Sequence, residues 1–212
     1  VVGLVGSNNL STAIIILGIA VILIFVANPQ FLPFLWIGGT GVGFIGIFLS
    51  LESYRLERLA IWRNPELYEK GYQTMQGLYA IGSGGLFGVG LGESMQKLGF
   101  VPEAQNDMIF SIICEELGLT GAVAVLVIFG LLIWRLMVIA TWTKDLFGAL
   151  LAAGVMGHIM IQVILNVAVV TNTIPNTGIT LPFVSYGGTS VVFLLLEMGI
   201  ALSVSRGVRK EH

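Results

Sequence analysis

The stretch Gly99–Gly118, GFVPEAQNDMIFSIICEELG, joins a polar, proline-containing segment to an apolar run of membrane length. Pro102 disfavours helix at Val101, and Asn106 is a good N-cap. The sequence therefore predicts a helix that begins at Asp107 and continues into a membrane span. Asp107 is the residue around which the rest of the chain is interpreted.

Composition places the chain in a membrane. Of 212 residues, 56% are hydrophobic and only 10% are charged, and the mean hydropathy is +0.93. Soluble domains carry about 25% charged residues, so this chain could not cover a globular surface in water. The single cysteine excludes an internal disulfide.

The predicted fold class is all-α, a polytopic membrane protein forming one membrane domain over residues 1–212. A span needs roughly 20 apolar residues. Five runs qualify, which predicts about five transmembrane helices with the two chain ends on opposite sides. The predicted spans are residues 10–27, 31–51, 117–138, 146–170 and 188–205.

Basic residues predict the orientation of these spans. The tail after the last span contains Arg206, Arg209 and Lys210, and Arg135 and Lys144 flank the turn after the third span. Cytoplasmic segments are enriched in Lys and Arg, so the C-terminus is predicted to be cytoplasmic. The long segment 52–116 then forms an extracellular loop.

Within that loop, Asn64-Pro65 is typical of a helix start, and Tyr68, Tyr72, Met75 and Tyr79 recur at helical spacing. This predicts either an interfacial helix on the outer leaflet or a helix packed against the protein's own spans. The glycine-rich run that follows, residues 81–92, permits tight turns and close backbone approach.

Asp107 allows two interpretations. An acid in the first helical turn stabilises the helix dipole by about 0.3–1 kcal/mol, and spacing alone favours this interpretation. Alternatively, the carboxylate acts as a base at the membrane rim. Glu115 would lie about 12 Å further along the helix axis, beyond the roughly 5–9.5 Å of a glycoside hydrolase carboxyl pair. A reaction that expels a diphosphate needs only one base and some positive charge.

Arg55 and Arg58 could supply that charge, because guanidinium groups match phosphate geometry. The alternative is a solvated helix end paired with Glu52 or Glu57.

Three further polar features lie in or near the later spans. His158, Gln162 and Asn166 form a stripe that favours interhelical hydrogen bonding over substrate contact. Glu197 is a charge deep in the last span, for which the sequence indicates no partner. Residues 171–190 predict a rigid polar lid near Asp107.

Four segments together resemble the SEDS family of bacterial cell-wall polymerases (FtsW, RodA and SpoVE). The resemblance covers the C-terminal half of the family's ten-helix fold and is closest to the FtsW/SpoVE branch. The segments are SNNLSTA (7–13), AIGSGGLFGVGLG (80–92), VPEAQNDMIFSIICEELGLTGA (101–122) and NTIPNTGITLPFVSYGGTS (172–190).

The resemblance implies a peptidoglycan glycosyltransferase in the bacterial cytoplasmic membrane, with its active site facing outside. It would polymerise lipid II and expel undecaprenyl diphosphate, with Asp107 as the catalytic general base. Arg55 and Arg58 would contact the diphosphate. The other implied substrate-binding residues are Glu103, Ser185, Tyr186, Gly187 and Gly188.

The implied partners are lipid II, membrane lipids and a class B penicillin-binding protein, with no nucleic acid. No cofactor is required by this prediction, although a divalent cation, Mg²⁺ or Mn²⁺, is an open alternative. The chain departs from the family pattern at Gln105-Asn106-Asp107-Met108, where the family usually has HTDF, and at Glu197. Lipid II transport and a non-enzymatic scaffold for the penicillin-binding protein are the alternative functions.

Overall fold

The computed structural model describes residues 10–28 and 53–208, and side chains within 12–28 and 57–208. These residues form helices without strands, which confirms the predicted all-α fold class. The α-helices are α1 (Leu10–Ala27), α2 (Ser53–Arg63), α3 (Tyr72–Gly84), α4 (Ile109–Trp142), α5 (Leu146–Val170) and α6 (Gly188–Val208). Short 3-10 helices cover Pro65–Leu67, Glu69–Gly71 and Gln96–Leu98.

Within these residues, α4, α5 and α6 are long and apolar enough to cross a membrane, and α1 is a shorter apolar helix. Helices thus occupy four of the five predicted spans. The remaining predicted span, 31–51, lies outside the described residues.

Helix α5 is the centre of the bundle and packs against α1, α4 and α6. Ala152 and Ala153 are completely buried beside Ile22 and Leu23 of α1. Small residues let membrane helices approach closely. Toward α4, the fully buried Ile159 belongs to a continuous apolar core that includes Leu136. Asp145 caps the start of α5 by accepting a hydrogen bond from the Gly148 amide at 2.8 Å.

Helix α4 starts later than the sequence predicts and is interrupted. Residues 102–108 form turns, so Asp107 precedes the helix and does not share a helical face with Ser111 and Glu115. The predicted cap, Asn106, donates its side-chain amide to Glu103 instead. A second deviation is Gly118, whose φ of 66° and ψ of −166° break the helix.

The glycine-rich loop that follows α3 forms hydrogen bonds with the α4 backbone on both sides of this break. The amides of Val89 and Gly90 donate to the carbonyls of Glu115 and Glu116, and the amide of Leu119 donates to Gly85, at 2.9–3.0 Å. These bonds satisfy groups that the interrupted helix leaves without helical partners. The irregular backbone of the loop thus lies beside a membrane-length helix with several of its own polar groups, and of those at the break, hydrogen-bonded.

The predicted tyrosine helix begins later than Asn64-Pro65 suggests. Two 3-10 helices precede it, Tyr68 is extended, and only Tyr72 onward is α-helical. The reason is local: the chain closes tightly here, and Gly71 lies so near the Pro65 carbonyl that a Cβ would be 2.0 Å away. Helix α3 packs against α4, as one of the two alternatives predicts, while Tyr72 and Tyr79 are exposed.

Candidate active site around Asp107

Asp107 is a buried carboxylate at the end of the turn segment before α4, with 8% of its surface exposed. Its backbone carbonyl accepts a 2.8 Å hydrogen bond from the Asn166 side chain of α5. The same Asn166 amide donates to the Ile179 carbonyl at 2.7 Å. A fully buried amide therefore joins α5, the Asp107 segment and the connection between α5 and α6.

The carboxylate of Asp107 contacts Gln73 of α3. The Gln73 side-chain nitrogen lies 3.2 Å and 3.4 Å from the two carboxylate oxygens and 3.3 Å from the Pro102 carbonyl. The Gln73 oxygen accepts from the Asn176 side chain at 3.1 Å. Three segments distant in sequence therefore meet at this carboxylate.

Burial raises the pKa of Asp107 above the usual range for an aspartate, because desolvation disfavours the charged form. The Glu103 carboxylate acts in the same direction. Hydrogen bonds from backbone amides and from Gln73 act in the opposite direction and lower the pKa. A carboxylate with a raised pKa is a stronger base once it is ionised.

Asp107 lines an open cavity of about 350 Å³ between α2, α3 and the α5–α6 connection. Its charged lining consists of Glu57 and Arg58 of α2, Lys70 and Asp107. The remaining lining residues are Ile61, Trp62, Gln73, Thr74, Asn172, Asn176, Thr177 and Gly178. Two carboxylates and two cationic side chains thus face one space.

Contacts between Trp62 and Asn172 fix one wall of this cavity. The Trp62 indole nitrogen donates to the Asn172 carbonyl at 2.9 Å, and the Asn172 side chain donates to the Trp62 carbonyl at 3.3 Å. Arg58 lies beside them, with a guanidinium nitrogen 3.5 Å from the Asn176 carbonyl. The connection between α5 and α6 therefore lies close to Asp107, as predicted for the polar lid.

Of the two arginines predicted to contact the diphosphate, the structure describes the side chain of one. Arg58 lines the cavity, whereas the side chain of Arg55 lies outside the described part of the chain. The cavity also brings in Lys70, which forms a 2.9 Å ion pair with Glu57. The alternative partner predicted for the arginines, Glu57, thus pairs with a lysine.

The remaining predicted substrate-binding residues lie outside the cavity lining. Ser185 is buried and structural in its contacts: its hydroxyl donates to the Asn106 carbonyl and accepts from the Leu181 amide, both at 2.7 Å. The Tyr186 amide donates to the Gln105 carbonyl at 2.8 Å, while its side chain is exposed. Gly187 and Gly188 lead into α6. Glu103 is exposed and accepts from Asn106.

Sequence reasoning missed Gln73, Asn176, Trp62, Asn172 and Lys70. The three amides belong to two separate segments, Gln73 to α3 and Asn172 and Asn176 to the α5–α6 connection, so no spacing along the chain relates Gln73 to the other two. The available signal was the polar composition of residues 171–178, which indicated a lid but no particular partner.

Glu115 and Glu116 have structural contacts. Glu115 is 3% exposed and accepts from the Ser94 hydroxyl and, at 3.2 Å, from the Met95 amide. Glu116 pairs with Lys97 at 2.6 Å. Both acids therefore anchor the loop between α3 and α4.

Glu197, for which the sequence indicated no partner, pairs with His158. The His158 Nδ1 atom lies 3.0 Å and 2.9 Å from the two Glu197 carboxylate oxygens. This pair is an interhelical contact of the kind predicted for the polar stripe, whereas Asn166 bonds two irregular segments, the Asp107 turn and the α5–α6 connection. Gln162, the middle residue of the stripe, has a buried side-chain oxygen without a hydrogen-bond partner among the described residues.

The described residues contain no group of three or more His, Cys, Asp or Glu side chains that could hold a metal ion. Among the described residues that line the cavity, the only carboxylates are Glu57, which is paired with Lys70, and Asp107. This donor set does not fit a metal site built from protein side chains alone. The divalent cation that the sequence analysis left open is not used in the chemistry considered below.

The fold and this cavity define the class of protein: a helical membrane protein with a buried carboxylate that faces a polar cavity lined by both acidic and basic side chains. The family model for cell cycle proteins of the FtsW, RodA and SpoVE type matches residues 1–210. The chain belongs to this family, which confirms the resemblance seen in its sequence.

Named relatives support the same assignment. Stage V sporulation protein E of Bacillus subtilis is 45% identical over 201 residues, which cover 93% of this chain and 55% of the relative. A probable peptidoglycan glycosyltransferase FtsW of Trichlorobacter lovleyi is 38% identical, with 95% of this chain and 53% of the relative covered. The chain spans about half the length of these curated relatives.

Two solved structures share the fold. A chain from a peptidoglycan synthase complex that coordinates polymerization and crosslinking matches with a TM-score of 0.79 and 28% identity, covering 99% of this chain and 60% of that chain. A mutant of the rod shape determining protein RodA of Thermus thermophilus matches with a TM-score of 0.64 and 27% identity, covering 99% of this chain and 54% of that one.

Proposed function

We propose that this chain carries the acceptor-activating site of a peptidoglycan glycosyltransferase that polymerises lipid II at the outer face of the bacterial cytoplasmic membrane. The observation that carries the proposal is the placement of Asp107. It is a buried carboxylate with a raised pKa, and it faces a cavity that also presents Arg58 and Lys70.

In the proposed reaction, the ionised Asp107 accepts the proton of the GlcNAc 4-hydroxyl of one lipid II molecule. The resulting oxygen nucleophile attacks the anomeric carbon of the lipid-linked glycan. The bond from that carbon to the diphosphate oxygen breaks, its electron pair leaves with undecaprenyl diphosphate, and the configuration is inverted. Because a diphosphate is a good leaving group, no general acid is needed.

Arg58 and Lys70 are suited to the charge that develops on the diphosphate. Guanidinium groups bind phosphate oxygens through paired hydrogen bonds, and an ammonium adds a compact charge. Donors placed where negative charge develops stabilise the transition state more than the ground state. The ion pair with Glu57 holds Lys70 at the edge of the cavity.

The likeness to a synthase complex for polymerization and crosslinking supports a class B penicillin-binding protein as partner. The membrane orientation with Asp107 outside is part of the same proposal, and it rests on the basic residues of the C-terminal tail.

The test is polymerisation of purified lipid II by the native gene product, followed as glycan strands on gels. Asp107→Asn keeps the size and hydrogen-bonding shape of the side chain but removes the base. We expect a loss of about 10²- to 10⁴-fold in rate. The matched control is Glu93→Gln, the same chemical change at an exposed acid of the neighbouring loop, which should polymerise at the wild-type rate.

Polymerisation by Asp107→Asn at the rate of the control would refute the proposal. Reconstitution of the same preparations in liposomes separates it from transport: movement of lipid II across the bilayer without any polymer would favour the transport alternative.

A further inference from the structure

Gln73 makes more contacts to the candidate site than any other neutral side chain described there, and the reaction proposed above assigns it no role. Its amide nitrogen has two hydrogens, and it faces two acceptors, the Asp107 carboxylate and the Pro102 carbonyl. Its oxygen faces a donor, the Asn176 amide. Both the nitrogen and the oxygen of the Gln73 amide thus have hydrogen-bond partners.

The orientation of this amide is determined by its surroundings. If the Gln73 amide were rotated by half a turn, its oxygen would face a carboxylate and a carbonyl, which offer no hydrogen to donate. Its nitrogen would then face the Asn176 amide nitrogen, also a donor. The observed orientation is the one in which all three contacts are favourable.

We propose that Gln73 is the positioning residue of the Asp107 carboxylate and that Asn176 in turn fixes the orientation of Gln73. This inference rests on the proposed function, since it concerns how Asp107 is held for proton transfer. Asn166 holds the Asp107 backbone at 2.8 Å, and Gln73 holds the carboxylate, so the residue is fixed at both ends.

A donor that contacts both carboxylate oxygens favours the ionised form. It therefore limits the rise in the Asp107 pKa that burial and Glu103 cause. Without Gln73, the carboxylate would stay protonated to a higher pH, and it would lose the contact that sets its direction toward the cavity. Both consequences can be measured.

A substitution at Gln73 leaves the other charged residues near the Asp107 carboxylate in the chain, so they are the same in wild type and variant. They are Glu57 and Arg58 of α2, Lys70 of the second 3-10 helix, and Glu103 of the Asp107 segment. The α5–α6 connection contributes the uncharged Asn172, Asn176 and Thr177 to the lining, and α5 contributes the Asn166 contact to the backbone of Asp107.

The experiment compares the pH dependence of lipid II polymerisation by wild-type protein and Gln73→Met. Methionine has a similar length but cannot donate a hydrogen bond. We expect the acidic limb of the rate profile to move to higher pH, and kcat above the limb to fall about 10- to 100-fold, the effect of losing a hydrogen bond to a charged group. KM should change little, because Gln73 holds the carboxylate and not the substrate.

Gln73→Glu provides a second variant of nearly the same shape. It replaces the donor by a second carboxylate beside Asp107, so the acidic limb should move further in the same direction. Asn176→Ala leaves Gln73 in place and removes the donor to its oxygen, together with the 3.0 Å hydrogen bond that Asn176 accepts from the Gly178 amide. It should shift the limb less than Gln73→Met, and it keeps the proposal testable if Gln73→Met does not fold.

The matched control is Gln96→Met, the same substitution at a glutamine outside the cavity whose side-chain oxygen has no hydrogen-bond partner among the described residues. It should leave the acidic limb unchanged. A loss of activity in Gln73→Met that is equal at every pH, with the limb in place, would overturn the positioning role and leave a merely structural one. An inactive Asp107→Asn together with an unchanged Gln73→Met profile refutes this inference alone, whereas an active Asp107→Asn refutes the proposed function.

Discussion

The break in α4 at Gly118 gives the sharpest stability prediction, because its conformation and its surroundings both exclude a side chain. At φ 66° and ψ −166° the residue occupies a region that is almost restricted to glycine. A Cβ at this position would lie 2.4 Å from the Gly88 nitrogen and 2.6 Å from the Leu86 carbonyl carbon. The obstacles are backbone atoms, which cannot turn aside as a flexible side chain can.

The expected cost of Gly118→Ala has two parts. Holding alanine in this conformation costs about 1–3 kcal/mol, and the overlap with the loop backbone costs about another 1–3 kcal/mol. The free energy of unfolding should therefore fall by about 2–6 kcal/mol. For a domain of this size, that corresponds to roughly 4–24 °C in Tm.

The assay is thermal unfolding of the detergent-solubilised protein followed by tryptophan fluorescence. Hydrogen exchange of the Val89, Gly90 and Leu119 amides, which form the bonds across the break, localises the effect. In Gly118→Ala, hydrogen exchange at these amides should be faster than in wild type, and this increase should exceed any increase in α5.

Gly130→Ala is the matched control, since Gly130 lies in the same helix and a Cβ added there would have open space within 4 Å. Replacing glycine by alanine inside a helix is favourable by about 1 kcal/mol, so its Tm should stay the same or rise slightly. Equal Tm values for Gly118→Ala and Gly130→Ala would refute the reasoning about the break.

Three further predictions concern polar groups that lie in or beside the helix bundle. Asn166→Leu leaves the carbonyls of Asp107 and Ile179 without their donor. Each unsatisfied group costs about 1–3 kcal/mol, so the free energy of unfolding should fall by about 2–6 kcal/mol in thermal unfolding. An unchanged Tm would contradict the assigned contacts. Asp107→Asn should raise Tm near neutral pH, because the pKa of Asp107 is raised in the folded protein. A group of this kind stabilises the fold below its unfolded-state pKa, and that contribution is lost as pH rises through its folded-state pKa. The gain in Tm over wild type should therefore vanish at acidic pH, and a gain that persists there would contradict a raised pKa. His158→Ala and Glu197→Gln should couple in a double-mutant cycle by roughly 0.6–1.7 kcal/mol, the range for hydrogen bonds between membrane helices, whereas additive effects would indicate that the 2.9 Å pair contributes nothing.

Local patterns were sufficient for the apolar spans, although not for the starts of α3 and α4. Apolar runs of membrane length placed α5 and the start of α6 correctly, because the hydrophobic content of a span is a property of consecutive residues. Glycine-rich residues 81–92 indicated close backbone approach, because the absence of a Cβ is likewise a property of the local sequence. What the local pattern could not give was the break at Gly118, since one glycine in an apolar run is common and only the neighbouring loop requires its conformation.

For the candidate site too, some features followed from the local sequence and others only from the packing of distant segments. The sequence by itself determined the membrane class, the helical fold and the family, and it singled out Asp107 as the candidate base, because the motif around this residue is contiguous in the chain. Only the tertiary structure decided what surrounds that carboxylate: Gln73 is 34 residues away, and Asn176, which orients Gln73, is 103 residues from it. His158 and Glu197, 39 residues apart, were likewise joined only by the packing of α5 against α6. A hydrogen bond requires two groups at a fixed distance and direction, and between separate helices that geometry is set by packing, which the order of residues along the chain does not record.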